Sequence, residues 1–592
     1  MSWKYPRVRH SDGLPTEDPA WLAQAQRIAK VPRDRFVASL KGLPRAEVEK
    51  RLRLRFRYDV EWFLRYFWPE AYSAPFNTFQ TWFINRESLF WQDRARKYTD
   101  NILHATAAPR GNAKTTLSSG KAVHDAVYGL EGYVVIVSAN LKKGAVPIMK
   151  NICDMAQEPR LQALYGKVVV KRNEEDRIVT VAGQTPMGLA ARSFTTQIRG
   201  TKIGNQRPTK IVVDDGEDPL RVKNPDNRKA DEDFLQGDIL KAGPNNGGLL
   251  VDWVGTVLHR DAILPGLVRK PGWRGRIWRA IEQWSTDEES LALWERCRQV
   301  WADLANEDRE QDARRFYEAN KEAMDRGWKV MDPTTWPLFR LQVAIWSEGL
   351  ESFLRERQNE ANLAQYSFFD VDKFRWFDLK KEPDGRRYVA IQSPRYGEIR
   401  SYVDQMTLVG YLDPVPGQDL GSLSDGAGAG DYAAFAVVGK DRYGYAYVLE
   451  VWMARARDSD QINKVWELAE KWKVRTVGIE TNNFARLITR DFQRSQQERA
   501  SKGLYYEVDF ISDHVQTKKE DRIAALQPVA MEHGWLRFNS EMADKENEVR
   551  KQFEDFPNGS HDDGPDAISS AFRLLGGTPE VAPSHRRVVR RG

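Results

Sequence analysis

Two hydrophobic rhythms run through this chain, and it divides where one gives way to the other. From residue 75 to 264, short apolar runs rich in β-branched residues recur at 101–107, 133–138, 167–170, 178–181, 211–213 and 249–257, separated by stretches with helical spacing. Buried strands alternating with helices predict a parallel α/β sheet. Residues 265–400 keep a helical periodicity with many Trp and Arg and few strand signals, which predicts a helical subdomain and connector. Period-two strands then return at 407–412, 432–438 and 443–451. A helix over 461–472, a strand at 476–479 and a closing helix over 563–575 complete a second α/β domain, placed at 401–578. Residues 1–74 read as a helical leader. Its segment RAEVEKRLRLRFR is strongly basic, either as a solvated face or as a contact for nucleic acid or a neighbouring subunit. The basic stretch within 579–592 follows Gly and Pro and reads as a flexible tail.

Length and composition narrow the class without naming the chemistry. At 592 residues the chain exceeds what one core supports. With 41% hydrophobic and 29% charged residues it is an ordinary globular composition, not a disordered one. A net charge of +6 permits a polyanionic partner without demanding one. The two cysteines, Cys153 and Cys297, exclude a disulfide framework and a cysteine zinc cluster, and suit a reducing compartment. No run has the length of a membrane span and the first residues lack a signal-peptide core, so a cytoplasmic protein with no membrane contact is expected.

The first candidate site follows the strand at 101–107. Ala108-Pro109-Arg110-Gly111-Asn112-Ala113-Lys114-Thr115-Thr116 has the order of a phosphate-binding loop, with alanine where the standard pattern has glycine at 108 and 113. Strand, tight loop, Lys-Thr and helix turn backbone N–H groups and a helix N-terminus onto a nucleotide's phosphates. Lys114 would then reach the β- and γ-phosphates and Thr115 would hold Mg²⁺. About a hundred residues on, the run Lys210-Ile211-Val212-Val213 delivers Asp214 and Asp215 to a strand end, with Glu217 close behind. Asp214 is the candidate Mg²⁺ partner, and Asp215 or Glu217 the candidate base for the attacking water. Gln80 is placed to read adenine, Gly255-Thr256 to sense the γ-phosphate, and Arg110 to act as an arginine finger in cis or to stay solvated.

The second candidate site lies in the C-terminal half. Asp413 and Glu480 each end a strand, and His561-Asp562-Asp563-Gly564-Pro565-Asp566 opens the last helix. Phosphodiester cleavage by two Mg²⁺ or Mn²⁺ ions needs carboxylates converging from separate elements, because hard cations prefer oxygen. Three meander strands, a helix, a strand and a closing helix are the ribonuclease H-like order. Asp563 is the leading third ligand, with Asp562 or Asp566 sharing or replacing it. Asp431 is a weaker participant, and Lys518 and Lys519 are candidate DNA phosphate contacts.

Taken in order, PRGNAKTT, IRG and RP before IVVDDGED, the GT at 255–256, Asp413, IETNNF and HDDGPDA resemble the large terminase subunit of tailed double-stranded DNA bacteriophages, over roughly residues 75–575. The resemblance implies a P-loop (RecA/ASCE-like) parallel-sheet ATPase domain joined to a ribonuclease H-like nuclease. It implies ATP-driven movement of double-stranded DNA into a procapsid, and metal-dependent cutting of concatemeric DNA. Implied partners are DNA, a portal protein, a small terminase subunit and copies of the chain in a ring on the portal, while an isolated chain could be a monomer. Its place would be the host cytoplasm, docked transiently on the procapsid. Where many members have Asp-Glu at the acidic strand end, this chain has Asp-Asp. Two rival readings differ in class: a helicase or remodelling translocase with a non-catalytic C-terminal fold, and a non-enzymatic capsid or portal adaptor.

Overall fold

The computed structural model describes residues 19–86, 101–360, 368–415, 432–480 and 485–576, apart from 173–175 and positions 197, 220, 246, 516, 558 and 560. The chain folds into two units. One comprises residues 1–284, 328–341 and 351–362, and the other residues 285–327, 342–350 and 363–592. The stretch expected to be a helical connector is thus divided between the two, and it carries strands as well as helices.

The first unit is built on an eight-stranded sheet of β1 (Ile102–Ala107), β2 (Tyr133–Ser138), β3 (Val168–Arg172), β4 (Asp176–Val181), β5 (Met187–Ser193), β6 (Lys210–Asp214), β7 (Leu250–Gly255) and β8 (Trp273–Ile277). Their order is β3-β4-β5-β2-β6-β7-β1-β8. The run from β5 to β8 is parallel, and β3 and β4 extend one edge as an antiparallel ribbon. Period-two alternation splits the core between the two faces: Val134 and Ile136 face one cluster, while Tyr133, Val135 and Val137 face the other. The N-terminal helices belong to the first of these clusters. The basic helix Arg45–Phe56 buries Leu52, Leu54 and Phe56 there, and its buried Arg55 is paired with Asp59 at 2.7 Å, so this helix is not a fully solvated face. A two-stranded ribbon of β9 (Ile281–Gln283) and β10 (Lys329–Val330) completes the unit.

The second unit begins with helices, among them Glu288–Trp301 and Arg309–Ala319; its first strand is β11 (Arg375–Phe377), followed by a separate antiparallel sheet of β12 (Leu379–Lys381), β13 (Arg387–Ser393) and β14 (Gly397–Tyr402). The strands β15 (Thr407–Asp413), β16 (Ala433–Lys440), β17 (Ala446–Ala454), β18 (Thr476–Glu480), β19 (Asp509–Asp513) and β20 (Leu536–Asn539) come next. With β11 they make a seven-stranded sheet in the order β11-β20-β17-β16-β15-β18-β19. The strands β15, β16 and β17 form the antiparallel meander, and β18 lies parallel to β15 on its other side. The closing helix Asp563–Leu574 packs on the meander. This is the ribonuclease H-like order read from the sequence. Among the described residues, no helix is long and apolar enough to cross a membrane.

Candidate nucleotide and metal sites

Register places the first site. Ala107 is opposite Gly255 and Asp214 opposite Val254, so the loop after β1, the end of β6 and the end of β7 emerge on one edge of the sheet. Ligands of open parallel sheets bind at that carboxyl edge. The helix Lys114–Val127 follows the loop directly. Ala113 takes the left-handed conformation (φ 58°, ψ 26°) in which glycine is the usual residue, so the loop makes that turn although it lacks the glycine. Gly111 is also left-handed, at φ 85°.

The buried Lys114 ammonium donates to the carbonyls of Ala108 (2.9 Å) and Pro109 (3.4 Å) and to Thr256 Oγ1 (3.1 Å). Thr256 therefore stands beside the lysine. Burial lowers the Lys114 pKa, against the pull of Asp215 and Asp214. Asp214 is pushed up to about 7, first by burial and then by Asp215, while a hydrogen bond from Thr115 and the charge of Lys114 oppose the rise. Lys114, Thr115, Asp214 and Asp215 thus form one electrostatic cluster. Asp215 has a left-handed backbone (φ 45°), and its carboxylate lies so near β7 that a Cβ on Gly255 would stand 3.2 Å from Asp215 Oδ1. Glu217 faces elsewhere. Its carboxylate accepts from the N–H groups of Ile263 (2.7 Å) and Leu264 (3.2 Å), capping the helix Ile263–Arg269.

The flanking residues make contacts of their own with the loop and its surroundings. Gln80 sits in a capping box: its Oε1 accepts from the Asn77 N–H at 3.1 Å, and its Nε2 faces the Asn112 carbonyl at 3.5 Å. Its amide is committed to the helix end and the loop. Asn77, which the sequence reading passed over, anchors the loop by donating Nδ2 to Asn112 Oδ1 (3.1 Å) and Asp332 Oδ2 (2.9 Å). Arg110 is exposed and paired with Glu356 at 3.3 Å, and its N–H donates to the Glu356 carbonyl. Thr116 contributes its carbonyl to a hydrogen bond from Tyr72 (2.7 Å).

The second site is built by adjacent parallel strands and the closing helix. Leu412 pairs with Ile479, so Asp413 and Glu480 leave β15 and β18 side by side. Oxygens of Asp413, Glu480 and Asp566 lie within 4.8 Å of one another. The third member of this group is Asp566, not Asp563 as first expected. Asp563 instead accepts from the Tyr432 N–H at 3.2 Å and from Lys519 at 2.9 Å, and Asp562 pairs with Lys519 at 2.8 Å. Both acids in the helix's first turn, Asp563 and Asp566, are favoured there by the helix dipole. Burial pushes Asp413 well above the usual carboxylate range, with Asp566, Glu480 and Asp563 adding to it and Lys519 opposing. Burial likewise raises Asp566, against its bond to Arg522. Arg522 was not anticipated from sequence. It holds Asp566 through two bonds (3.0 and 2.6 Å) and reaches Glu480 at 3.3 Å. Lys519 points into the carboxylates, and Lys518 is the residue before its helix, Lys519–Ala524. Asp431 lies outside the described residues. Three converging carboxylates, two of them largely buried, are a donor set that suits a hard divalent cation.

Residues 417–574 match the family model for the terminase RNaseH-like domain. This segment is a terminase RNaseH-like domain. It lies in the half of the chain that contributed Glu480 and the HDDGPDA motif to the resemblance drawn from sequence, and the matched residues hold all but Asp413 of the second site. Among solved structures, the large terminase of a thermophilic bacteriophage matches at 10% identity and a TM-score of 0.39, covering 85% of this chain and 100% of that one. The large terminase nuclease of thermophilic phage G20c, solved with bound zinc, matches at 18% identity and a TM-score of 0.23, covering 35% and 98%. The large terminase ATPase domain of Thermus phage P74-26 matches at 10% and 0.24, covering 45% and 92%. No curated protein sequence matches the chain.

Proposed function

We propose that the chain is the large subunit of a phage terminase: an ATPase that drives double-stranded DNA into a procapsid, and an endonuclease that cuts concatemeric DNA with bound divalent metal. The observation that carries this reading is the pairing, in one chain, of the Lys114–Thr115–Asp214–Asp215 cluster with a terminase RNaseH-like domain whose Asp413, Glu480 and Asp566 converge. In the first unit Lys114 would bind the β- and γ-phosphates of ATP, Thr115 and Asp214 would hold Mg²⁺, and Asp215 would take the proton of the attacking water. Glu217 is the weaker candidate for that base, because its carboxylate is already bound by two N–H groups. In the second unit Asp413, Glu480 and Asp566 would hold Mg²⁺ or Mn²⁺, which supplies an activated water and neutralises charge on the scissile phosphate.

DNA, the portal, a small terminase subunit and further copies of the chain in a ring are the partners of this reading, and the host cytoplasm is its place. The test is a pair of assays on two variants. Lys114→Ala should lose ATP hydrolysis and keep plasmid cleavage, and Asp413→Asn should do the reverse. If Asp413→Asn cuts plasmid at the wild-type rate, the nuclease assignment is wrong. If that variant keeps hydrolysis but neither it nor the wild type cuts DNA, the translocase with a non-catalytic C-terminal fold is the better reading.

A further inference from the structure

The helix Lys519–Ala524 brings two cations to the carboxylate cluster, at positions i and i+3 of one face, and they are held in different ways. Arg522 is fixed: its side chain is 8% exposed, it grips Asp566 through two N–H groups, and it also reaches Glu480. Lys519 is held through its ammonium, at the tip of a flexible stem. Its ammonium bonds Asp562 at 2.8 Å and Asp563 at 2.9 Å, and stands 3.7 Å from Asp413 and 4.0 Å from Asp566. Its side chain is 32% exposed, so an open path to solvent remains. An ammonium has three donors on a flexible stem, whereas a guanidinium in a two-point grip is pre-organised and gives way less readily.

Asp413 and Asp566 thus have a double claim on them. They belong to the group whose oxygens gather within 4.8 Å, and they also face Lys519. A divalent ion bound at about 2.1 Å from these oxygens would lie a few Å from the ammonium and repel it. The positive charge of Lys519, with that of Arg522, offsets the repulsion among Asp413, Glu480, Asp562, Asp563 and Asp566.

We propose that Lys519 is a resident counter-ion of the nuclease site, which holds the carboxylates together before metal arrives and must swing out for metal to load. The ammonium therefore sets a threshold: the site fills only when the metal concentration is high enough to displace it. This rests on the proposed nuclease reading and adds a positioning residue to it. Lys519 acts on the ligands and not on the DNA, which departs from the phosphate contact expected from sequence.

The test is calorimetric titration of Mn²⁺ into the full chain without nucleotide, with Asp413→Asn as the blank. Lys519→Met should bind Mn²⁺ at least tenfold more tightly than wild type. Its metal-free melting temperature should be lower, and its gain in melting temperature on adding Mn²⁺ larger. Lys519→Arg, which restores the charge, should return to wild-type affinity or weaker. Lys519→Gln, a second neutral variant, should behave as Lys519→Met and serves if that one fails to fold. If Asp413→Asn removes the Mn²⁺ heat while Lys519→Met and Lys519→Gln titrate as wild type does, the counter-ion proposal is overturned and the metal site stands. If Asp413→Asn titrates as wild type does, the metal reading falls and the proposal with it.

Discussion

Replacing Ala113 by glycine should stabilise the N-terminal unit, although glycine ordinarily weakens a helix interior. Ala113 is held at φ 58° and ψ 26° at the N-cap of Lys114–Val127. For an L-residue with a Cβ that conformation costs roughly 1–2 kcal/mol. Glycine removes the clash but returns about 0.4–1 kcal/mol through its freer unfolded chain. The net gain is about 0.5–1 kcal/mol, or a rise of about 1–3 °C in the melting temperature of a unit this large. The control is Gly111→Ala, at φ 85°, where the same two terms act with opposite sign and the melting temperature should fall by a similar amount. Differential scanning calorimetry of the full chain reads both variants. A fall for Ala113→Gly, or equal shifts for the two, would refute the claim that this loop keeps its backbone under strain at Ala113.

Asp214 should make nucleotide binding release protons. With its pKa raised from 3.8 to about 7, the folded protein holds this proton more tightly than the unfolded chain does. Its favourable contribution is therefore complete below about pH 4 and is lost as pH rises to about 7, an upper bound of roughly 4 kcal/mol. Binding Mg²⁺–ATP needs the ionised carboxylate, so titration at pH 6.5 in buffers of differing ionisation enthalpy should show proton release that Asp214→Asn abolishes; unchanged release in that variant would contradict the assignment. Asp215→Asn should reduce ATP hydrolysis at least a hundredfold, whereas Glu217→Gln, which disturbs a helix cap, should lower stability by about 1 kcal/mol and leave most of the turnover; reversed kinetics would make Glu217 the base. Arg522→Met leaves the largely buried Asp566 and Glu480 without their common cation and should destabilise the C-terminal unit by about 3 kcal/mol, part of it recovered by Mn²⁺. Urea unfolding followed by far-UV circular dichroism, with and without Mn²⁺, reads this, and an unchanged midpoint would count against the buried pairing.

Much of the architecture could be read from sequence because β-branched runs end in functional residues. The strand Lys210–Asp214 announces both its burial and its carboxylate, and β15 and β18 do the same with Asp413 and Glu480. What escaped notice lacked that signature. The strand β5 reads MGLAARS, whose glycine and alanines carry no strand preference, yet it lies inside the sheet between β4 and β2. The edge strand β8 reads WRGRI, and β12 to β14 are rich in Arg, Lys and Tyr, so all of them merged with the helical periodicity around them.

At the sites, residue types were legible but side-chain directions were not. Asp563 and Asp566 are one helical turn apart, and only the packing of that helix on the meander decides which of them meets Asp413. Glu217 lies two residues beyond Asp215, but its carboxylate meets a helix N-terminus that sequence spacing does not reveal. The contacts of Asn77 with Asp332 and of Arg110 with Glu356 join residues about 250 positions apart, beyond the reach of any local pattern.

Asp413, Glu480 and Asp566 form the proposed metal site of the second unit. Crystals soaked in Mn²⁺ should show an anomalous peak within about 2.0–2.6 Å of carboxylate oxygens from all three residues, with Lys519 turned away from it. A peak bound by Asp562 or Asp563 without Asp566, or none at concentrations that support cleavage, would contradict this assignment.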